Sequence, residues 1–367
     1  MARPLICAVL FAALSTAACG PALAQLSLPP DLQKQRVPIT RPEPAPDPEP
    51  APVQKTTPKG AASKAASSKA APFKFSSPRL PAKSEPLDPN ADNAYAAYQE
   101  GRYRTALDLA IARANESNDA KSMTLVGELY ANGLGIARND DKALEWYRKA
   151  VDLGDREAMF ALAMMKIGGR GGPVDREGGA KLLAQSAQLG KAAAAYNLGL
   201  LYLEGQTFPQ DLKRAADLFR QAANEGNPEA QYALATFYKE GRGVEKDLTI
   251  AAKLLGAAAL ADNVDAEVEY AIALFNGTGV TKDIPTAVAL MSRAARQNSP
   301  IAQNRLAHIL IDGQGTPANP VEGFKWHIIA KTAGAGDPDL DARMAQLSPQ
   351  DRQKAEDGAK RWFGLIK

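Results

Sequence analysis

Residues 191–226 read KAAAAYNLGLLYLEGQTFPQDLKRAADLFRQAANEG, and this stretch decides the fold. In both of its halves, apolar side chains recur at intervals of three and four residues, which is the spacing of one face of an α-helix. Gly205 separates the halves and permits a sharp turn, where a positive φ or a close backbone approach is required. Asp211 can cap the second helix. The stretch therefore predicts two helices joined by a tight turn.

The same pattern returns every 36 residues without an insertion. Its most regular column contains Gly133, Gly169, Gly205, Gly241, Gly277 and Gly313. A fixed period of this size is typical of a solenoid, because one helical pair cannot bury its apolar face alone and neighbouring pairs must stack. We therefore expect an all-α solenoid of six copies. The copies span residues 119–154, 155–190, 191–226, 227–262, 263–298 and 299–334.

A second glycine column lies two residues after the first. It contains Gly135, Gly171, Gly243, Gly279 and Gly315, but Thr207 in the third copy. Because one copy replaces glycine with threonine, the sequence predicts that this column is less constrained than the first.

The segments on either side of the six copies predict further helices. Residues 92–114 have a helical apolar pattern and are expected to form an irregular first hairpin. At the other end, Ser348 and Pro349 make a favourable helix start, and an apolar stripe follows as far as Phe363. We expect a C-terminal helix over residues 349–365 that caps the last copy.

Three segments carry a resemblance to a known family. Residues 125–135 read LVGELYANGLG, residues 142–150 read KALEWYRKA, and residues 230–235 read AQYALA. These segments resemble the Sel1-like repeat, which is related to the tetratricopeptide repeat. The resemblance implies a right-handed superhelix of helix pairs that recruits protein partners.

The first 24 residues have the pattern of a secretory signal. Arg3 precedes an apolar run at residues 5–14, and an A-x-A motif ends at Ala24. The run is too short to span a membrane, and no transmembrane segment is expected. The sequence predicts export to the periplasm with cleavage after Ala24. The alternative is a lipoprotein anchored at Cys19.

Residues 25–88 have the composition of a disordered linker, rich first in proline and then in lysine, alanine and serine. Residues 53–83 contain seven Lys or Arg and no Asp or Glu. This linker is either a solvated spacer or a weak, salt-sensitive contact with anionic envelope polymers. Residues 89–367 are predicted to form the repeat domain.

The charge of the repeat domain argues against binding to nucleic acid. The chain has a net charge of +3, but residues 25–87 contain ten Lys or Arg against five Asp or Glu. Arg3 is the one charged side chain before residue 25, so residues 88–367 carry a net charge of −3. A nucleic-acid surface requires a basic stripe, and we expect no nucleic-acid partner.

The sequence predicts no catalytic residue, no metal site and no cofactor. Both cysteines, Cys7 and Cys19, lie in the signal segment. His327 falls in a column of core residues, and His308 falls in a variable column. A third ligand for a zinc ion is not evident from the spacing.

In solenoids of helix pairs, the first helix of each pair is expected to line the concave face, where an extended peptide or an amphipathic helix can bind. Three columns of that helix supply candidate partner-binding residues. They are Phe160, Met164, Tyr196, Leu200, Leu203, Tyr232, Ile272 and Phe275. The alternative is that these side chains pack between adjacent pairs.

Two functions are consistent with these features. The first is a non-catalytic periplasmic adaptor or regulator, which binds a protein or peptide of the cell envelope through the concave face. The second is an envelope structural or polysaccharide-associated factor, which is tethered by the basic linker or by a lipid.

Overall fold

The computed structural model describes residues 93–366, and every structural statement below concerns that range. The described residues contain sixteen helices and no strand, which confirms the predicted all-α fold. The signal segment, Cys19, Ala24 and the linker at residues 25–88 lie outside the described residues.

The described part begins with a hairpin of α1 (Asn93–Gln99) and α2 (Tyr103–Ser117). Six pairs follow, and each of their twelve helices has 13 residues. The pairs are α3 (Ala120–Asn132) with α4 (Asp140–Asp152), α5 (Arg156–Gly168) with α6 (Arg176–Gln188), α7 (Ala192–Glu204) with α8 (Leu212–Asn224), α9 (Pro228–Glu240) with α10 (Leu248–Leu260), α11 (Val264–Asn276) with α12 (Ile284–Arg296), and α13 (Pro300–Asp312) with α14 (Pro320–Thr332).

From α1 to α14, each helix packs against the next one along the chain, as a stack of helical pairs requires. The buried side chains form successive core clusters rather than one central core. The solenoid is therefore built from neighbour contacts. Its right-handed superhelix stays a prediction of the resemblance.

The two ends of a typical helical pair follow the chemistry that the sequence predicts. In the third pair, the Asp211 side chain accepts a hydrogen bond from the Arg214 backbone N–H at 2.9 Å. Gly205 follows α7 with a φ of 73°, which is the left-handed conformation that glycine adopts without strain.

The second glycine column is more crowded than the first, and the prediction that it is less constrained was wrong. A Cβ atom on Gly241, in the first column, would lie 3.3 Å from its nearest neighbour, the Lys246 Cβ. A Cβ atom on Gly243 would lie 2.3 Å from the Leu212 carbonyl oxygen, which is at the start of α8 in the preceding pair. Thr207 is accommodated because its φ is not positive, so this loop follows a different path.

Two helices follow the six pairs. The sequence did not predict α15 (Pro338–Ala345), whereas α16 (Pro349–Trp362) confirms the predicted C-terminal helix and packs against α14. Ser348 caps α16 by accepting a hydrogen bond from the Asp351 N–H at 3.1 Å. The helix ends before Phe363, which is exposed, so the apolar stripe is shorter than predicted.

A candidate partner-binding strip on the first helices

The eight candidate residues lie on α5, α7, α9 and α11, which are the first helices of pairs 2 to 5. We call them the first-helix strip. They are Phe160, Met164, Tyr196, Leu200, Leu203, Tyr232, Ile272 and Phe275. All eight side chains are half-buried, and each packs against a core cluster from one side. Every member of the strip therefore combines a packed surface with a solvent-facing one.

The strip is not uniform along the solenoid. Its members on α5 and α7 all pack against one core cluster, which contains Leu198 and Phe219. Tyr232 packs against a second cluster with Leu255, and the members on α11 pack against a third. The five members on pairs 2 and 3 therefore share one core cluster, and the other three pack against different clusters.

Aromatic packing accounts for part of the strip. The Tyr196 ring lies 5.6 Å from the Phe219 ring, at an interplanar angle of 40°. The Lys191 ammonium lies 5.6 Å from the centre of the Phe160 ring, within the range of a cation–π contact. These contacts hold the two rings in place from the protein side.

At its N-terminal end, the strip is bounded by polar contacts within the chain. In the first pair, Glu128 occupies the column of Leu200 and accepts a 2.7 Å hydrogen bond from the Tyr98 hydroxyl on α1. Thr124 occupies the column of Tyr196 and donates a 2.9 Å hydrogen bond to Asp155. In the first pair, the positions equivalent to Leu200 and Tyr196 are therefore already occupied by hydrogen bonds within the chain.

A similar boundary lies at the C-terminal end. In the sixth pair, His308 occupies the column of Leu200, and its Nε2 lies 2.8 Å from Oδ2 of Asp337, the residue that caps α15. Asn304 donates to the Ala335 carbonyl oxygen at 3.5 Å. The first helices of pairs 2 to 5 therefore form the stretch that these terminal contacts leave open.

Acidic side chains lie near Tyr232, and the sequence reasoning missed them. Burial raises the pKa of the Tyr232 hydroxyl, and nearby carboxylates add to this rise. The carboxylates are those of Glu269, Asp265 and Glu240. Lys239 pairs with one of these carboxylates, with its Nζ 2.7 Å from Oε2 of Glu269. A comparison of charges between copies, column by column, would have revealed this group.

Asp265 belongs to this acidic group. The surrounding protein raises the pKa of its carboxyl, with a further contribution from Glu269.

The two histidines hold α15 to the sixth pair. His327 is fully buried, which confirms its predicted core position, and its Nε2 lies 2.9 Å from the Asp341 Oδ1. Lys331 also contacts Asp341, at 2.8 Å, and both partners lower the pKa of that carboxyl. Within residues 93–366, no group of three or more His, Cys, Asp or Glu is arranged to hold a metal ion.

No helix within residues 93–366 is both long enough and apolar enough to cross a bilayer.

Comparison with known families identifies the repeats. Six consecutive segments match the family model described as Sel1 repeat. They are residues 120–155, 156–191, 192–227, 228–263, 264–299 and 300–334. The chain belongs to the Sel1 repeat family. Each matched Sel1 repeat begins one residue after the copy that the glycine spacing defines.

Solved structures of bacterial proteins share this Sel1 fold. A Sel1 repeat protein from Oxalobacter formigenes is 27% identical, with a TM-score of 0.56, over 66% of this chain and 97% of that one. A protective antigen of uropathogenic Escherichia coli strains, which displays an SLR fold, is 26% identical with a TM-score of 0.50. That alignment covers 74% of this chain and 68% of the antigen. No curated protein sequence matches the chain.

Membership of the Sel1 repeat family gives the broad class of function. The fold commonly mediates protein–protein interaction, and the comparisons indicate no enzyme family. The prediction of a fold that commonly serves as an interaction scaffold is therefore confirmed.

Proposed function

We propose that the chain is a non-catalytic adaptor or regulator of the cell envelope, which binds a protein or peptide through the first-helix strip. Eight half-exposed apolar side chains on four neighbouring first helices carry this proposal. The terminal contacts of Tyr98 and Asp337 confine the open surface to those four helices. A row of this kind fits an extended peptide or one face of an amphipathic helix.

The periplasm is the proposed location. Support comes from the signal-like pattern of residues 1–24, which predicts cleavage after Ala24. Fractionation of a Gram-negative host that expresses the full chain tests the location. We expect release with the periplasmic contents and Gln25 as the first residue of the mature protein. Retention in the cytoplasm contradicts the location, and a lipid on Cys19 supports the lipoprotein alternative.

Photo-crosslinking tests the binding surface. A benzophenone side chain replaces Leu200 in the strip or, as a control, Leu260 at the end of α10, whose side chain is 80% exposed. We expect the probe at position 200 to crosslink a distinct protein and the probe at position 260 not to do so. Equal crosslinking at both positions, or none at position 200, contradicts the proposed surface.

The basic linker supports a second candidate function, a factor associated with envelope polysaccharide. Residues 53–83 carry seven cationic side chains and no acidic one, so they can bind an anionic polymer in a salt-dependent way. The test is retention of the full chain on isolated peptidoglycan. Retention that is lost on deletion of residues 53–83 favours this candidate, and retention unaffected by the deletion contradicts it.

A further inference from the structure

We infer that the segment bound by the first-helix strip is amphipathic along its length, with apolar side chains on pairs 2 and 3 and Lys or Arg side chains on pairs 4 and 5. This inference rests on the proposed function and specifies the chemistry of the partner. It depends on how charge is distributed along the strip.

The half of the strip on pairs 2 and 3, which we call the apolar half, is electrically balanced. Its five members are half-buried apolar or aromatic side chains that pack against one core cluster. The nearest acidic position, Glu157 in the first turn of α5, forms a salt bridge with Lys191 of the next pair. Apolar side chains of a partner can therefore bind here without burying an unpaired charge.

The half on pairs 4 and 5, which we call the acidic half, lacks a cation that neutralises its carboxylates. Glu229 on α9 and Asp265 on α11 occupy the column of Glu157 in pairs 4 and 5. Neither carboxylate has a hydrogen-bond or ion-pair partner among residues 93–366. The lysine that neutralises Glu157 comes 34 residues later, and the corresponding residues are Asn263 for Glu229 and Ser299 for Asp265.

Asn263 and Ser299 cannot supply the missing charge. Both are neutral, and both are already used as helix caps: they accept hydrogen bonds from the Ala266 and Ala302 backbone N–H groups. Pairs 4 and 5 therefore have an acidic residue at the position of Glu157 but no cation at the position of Lys191. The two carboxylates are left open to a cation from outside the chain.

The other two carboxylates near Tyr232 are already paired with cations of this chain. Glu269 is paired with Lys239, and Glu240 lies 3.7 Å from Arg242. Glu229 and Asp265 thus add two carboxylates that have no paired cation among the described residues. A Lys or Arg of the partner would offset this excess and could also stack on the Tyr232 ring. An acidic segment would increase the repulsion, so the charge selects a cationic partner.

Selection from a random 12-residue peptide library displayed on phage, with the full chain immobilised, tests the inference. We expect the wild type to enrich peptides that have aromatic or aliphatic residues at one end and Lys or Arg at the other. The double variant Glu229→Gln/Asp265→Asn should lose the basic preference and keep the apolar one. A selected basic peptide should bind that variant about three- to tenfold more weakly.

A matched control separates local from general charge effects. Glu225, at the end of α8, is an exposed carboxylate outside the strip, with no ion pair among the described residues. Glu225→Gln should leave the peptide preference unchanged. Because each of these substitutions removes an unpaired carboxylate, none should unfold the protein, and thermal melting checks this.

The outcomes distinguish this inference from the proposed function. Enrichment of apolar peptides without a basic preference, or a preference that survives Glu229→Gln/Asp265→Asn, overturns the inference alone. Peptide binding that is insensitive to Leu200→Ala, or no enrichment at all, overturns both. A strip occupied by a second copy of the chain, seen as a dimer that Leu200→Ala dissociates, also overturns the inference.

Discussion

A Cβ atom on Gly199 would lie 2.7 Å from Cε1 of Phe219, so the two helices of the third pair cross at a contact that admits glycine alone. The first pair repeats this arrangement, with Gly127 at 2.6 Å from Cε1 of Tyr147. Where the second helix carries a smaller or narrower residue, the first helix carries alanine. These pairs are Ala163 with Leu183, Ala235 with Leu255, Ala271 with Met291, and Ala307 with His327. At each crossing, a larger side chain in the column of Phe219 is thus matched by a smaller residue in the column of Gly199.

This matching predicts a compensating double substitution. Gly199→Ala alone should destabilise the chain by about 1–3 kcal/mol, because overpacking forces the Phe219 ring from its position. Combining it with Phe219→Leu reproduces the pairs Ala163–Leu183 and Ala235–Leu255, so the double variant should lose less than the sum of the single losses. Thermal melting of the four proteins measures the coupling. Strictly additive losses contradict the account.

The two glycine columns give a second prediction. Gly243→Ala should destabilise the chain more than Gly241→Ala does. Both residues have positive φ, which costs alanine about 1–2 kcal/mol. Only at Gly243 does the new Cβ also clash with backbone, at 2.3 Å from the Leu212 oxygen. Melting temperatures decide the order, and a larger loss for Gly241→Ala contradicts it.

The sequence predicted the repeat frame because the features that set it are local. A left-handed glycine ends each first helix, and a side-chain cap starts most helices, as Asp211 does for α8. The crowding of Gly243 could not be predicted in the same way. The atoms that crowd it belong to Leu212 in the preceding pair, so the constraint does not show in the loop's own sequence.

The helix α15 was not predicted for a similar reason: residues elsewhere in the chain hold it in place. It is eight residues long, and Leu340 is its single buried residue, so it has no apolar periodicity to detect. Side chains from the sixth pair hold it instead. His308 contacts Asp337, and Asp312 contacts Arg343 at 2.6 Å. The acidic half of the strip was missed for a related reason, since its charge balance depends on partners in the next repeat.

Asp140 and Asp265 should respond to pH in opposite directions. Hydrogen bonds from Arg138 and then Arg170 lower the pKa of Asp140. Its stabilising effect is therefore present above the unfolded pKa, near 3.8, and is lost as the pH falls through the lower folded value. We expect Asp140→Asn to cost about 1–3 kcal/mol at pH 7. Melting curves at pH 7 and below pH 4 should show the difference shrinking, and a constant difference contradicts the assignment.

For Asp265 the sign is reversed. The surrounding protein and Glu269 raise its pKa, so the ionised carboxylate is unfavourable in the folded state at neutral pH. Relative stability is regained as the pH falls through the raised value. Asp265→Asn should therefore raise the melting temperature slightly at pH 7, with the gain disappearing near pH 4. A lower melting temperature at pH 7 would show that Asp265 has a stabilising partner.

The central claim is that the first-helix strip binds the partner, and paired measurements of affinity and stability test it most directly. The partner crosslinked at position 200 is titrated against wild type, Leu203→Ala, Tyr232→Ala and the exposed control Leu260→Ala, and each protein is melted in parallel. We predict that both strip variants lose about 2 kcal/mol or more of binding free energy. Their stability should fall by less than the roughly 3–5 kcal/mol typical of a core aromatic, and Leu260→Ala should match wild type. Unchanged affinity in both strip variants, with folding intact, would contradict the claim.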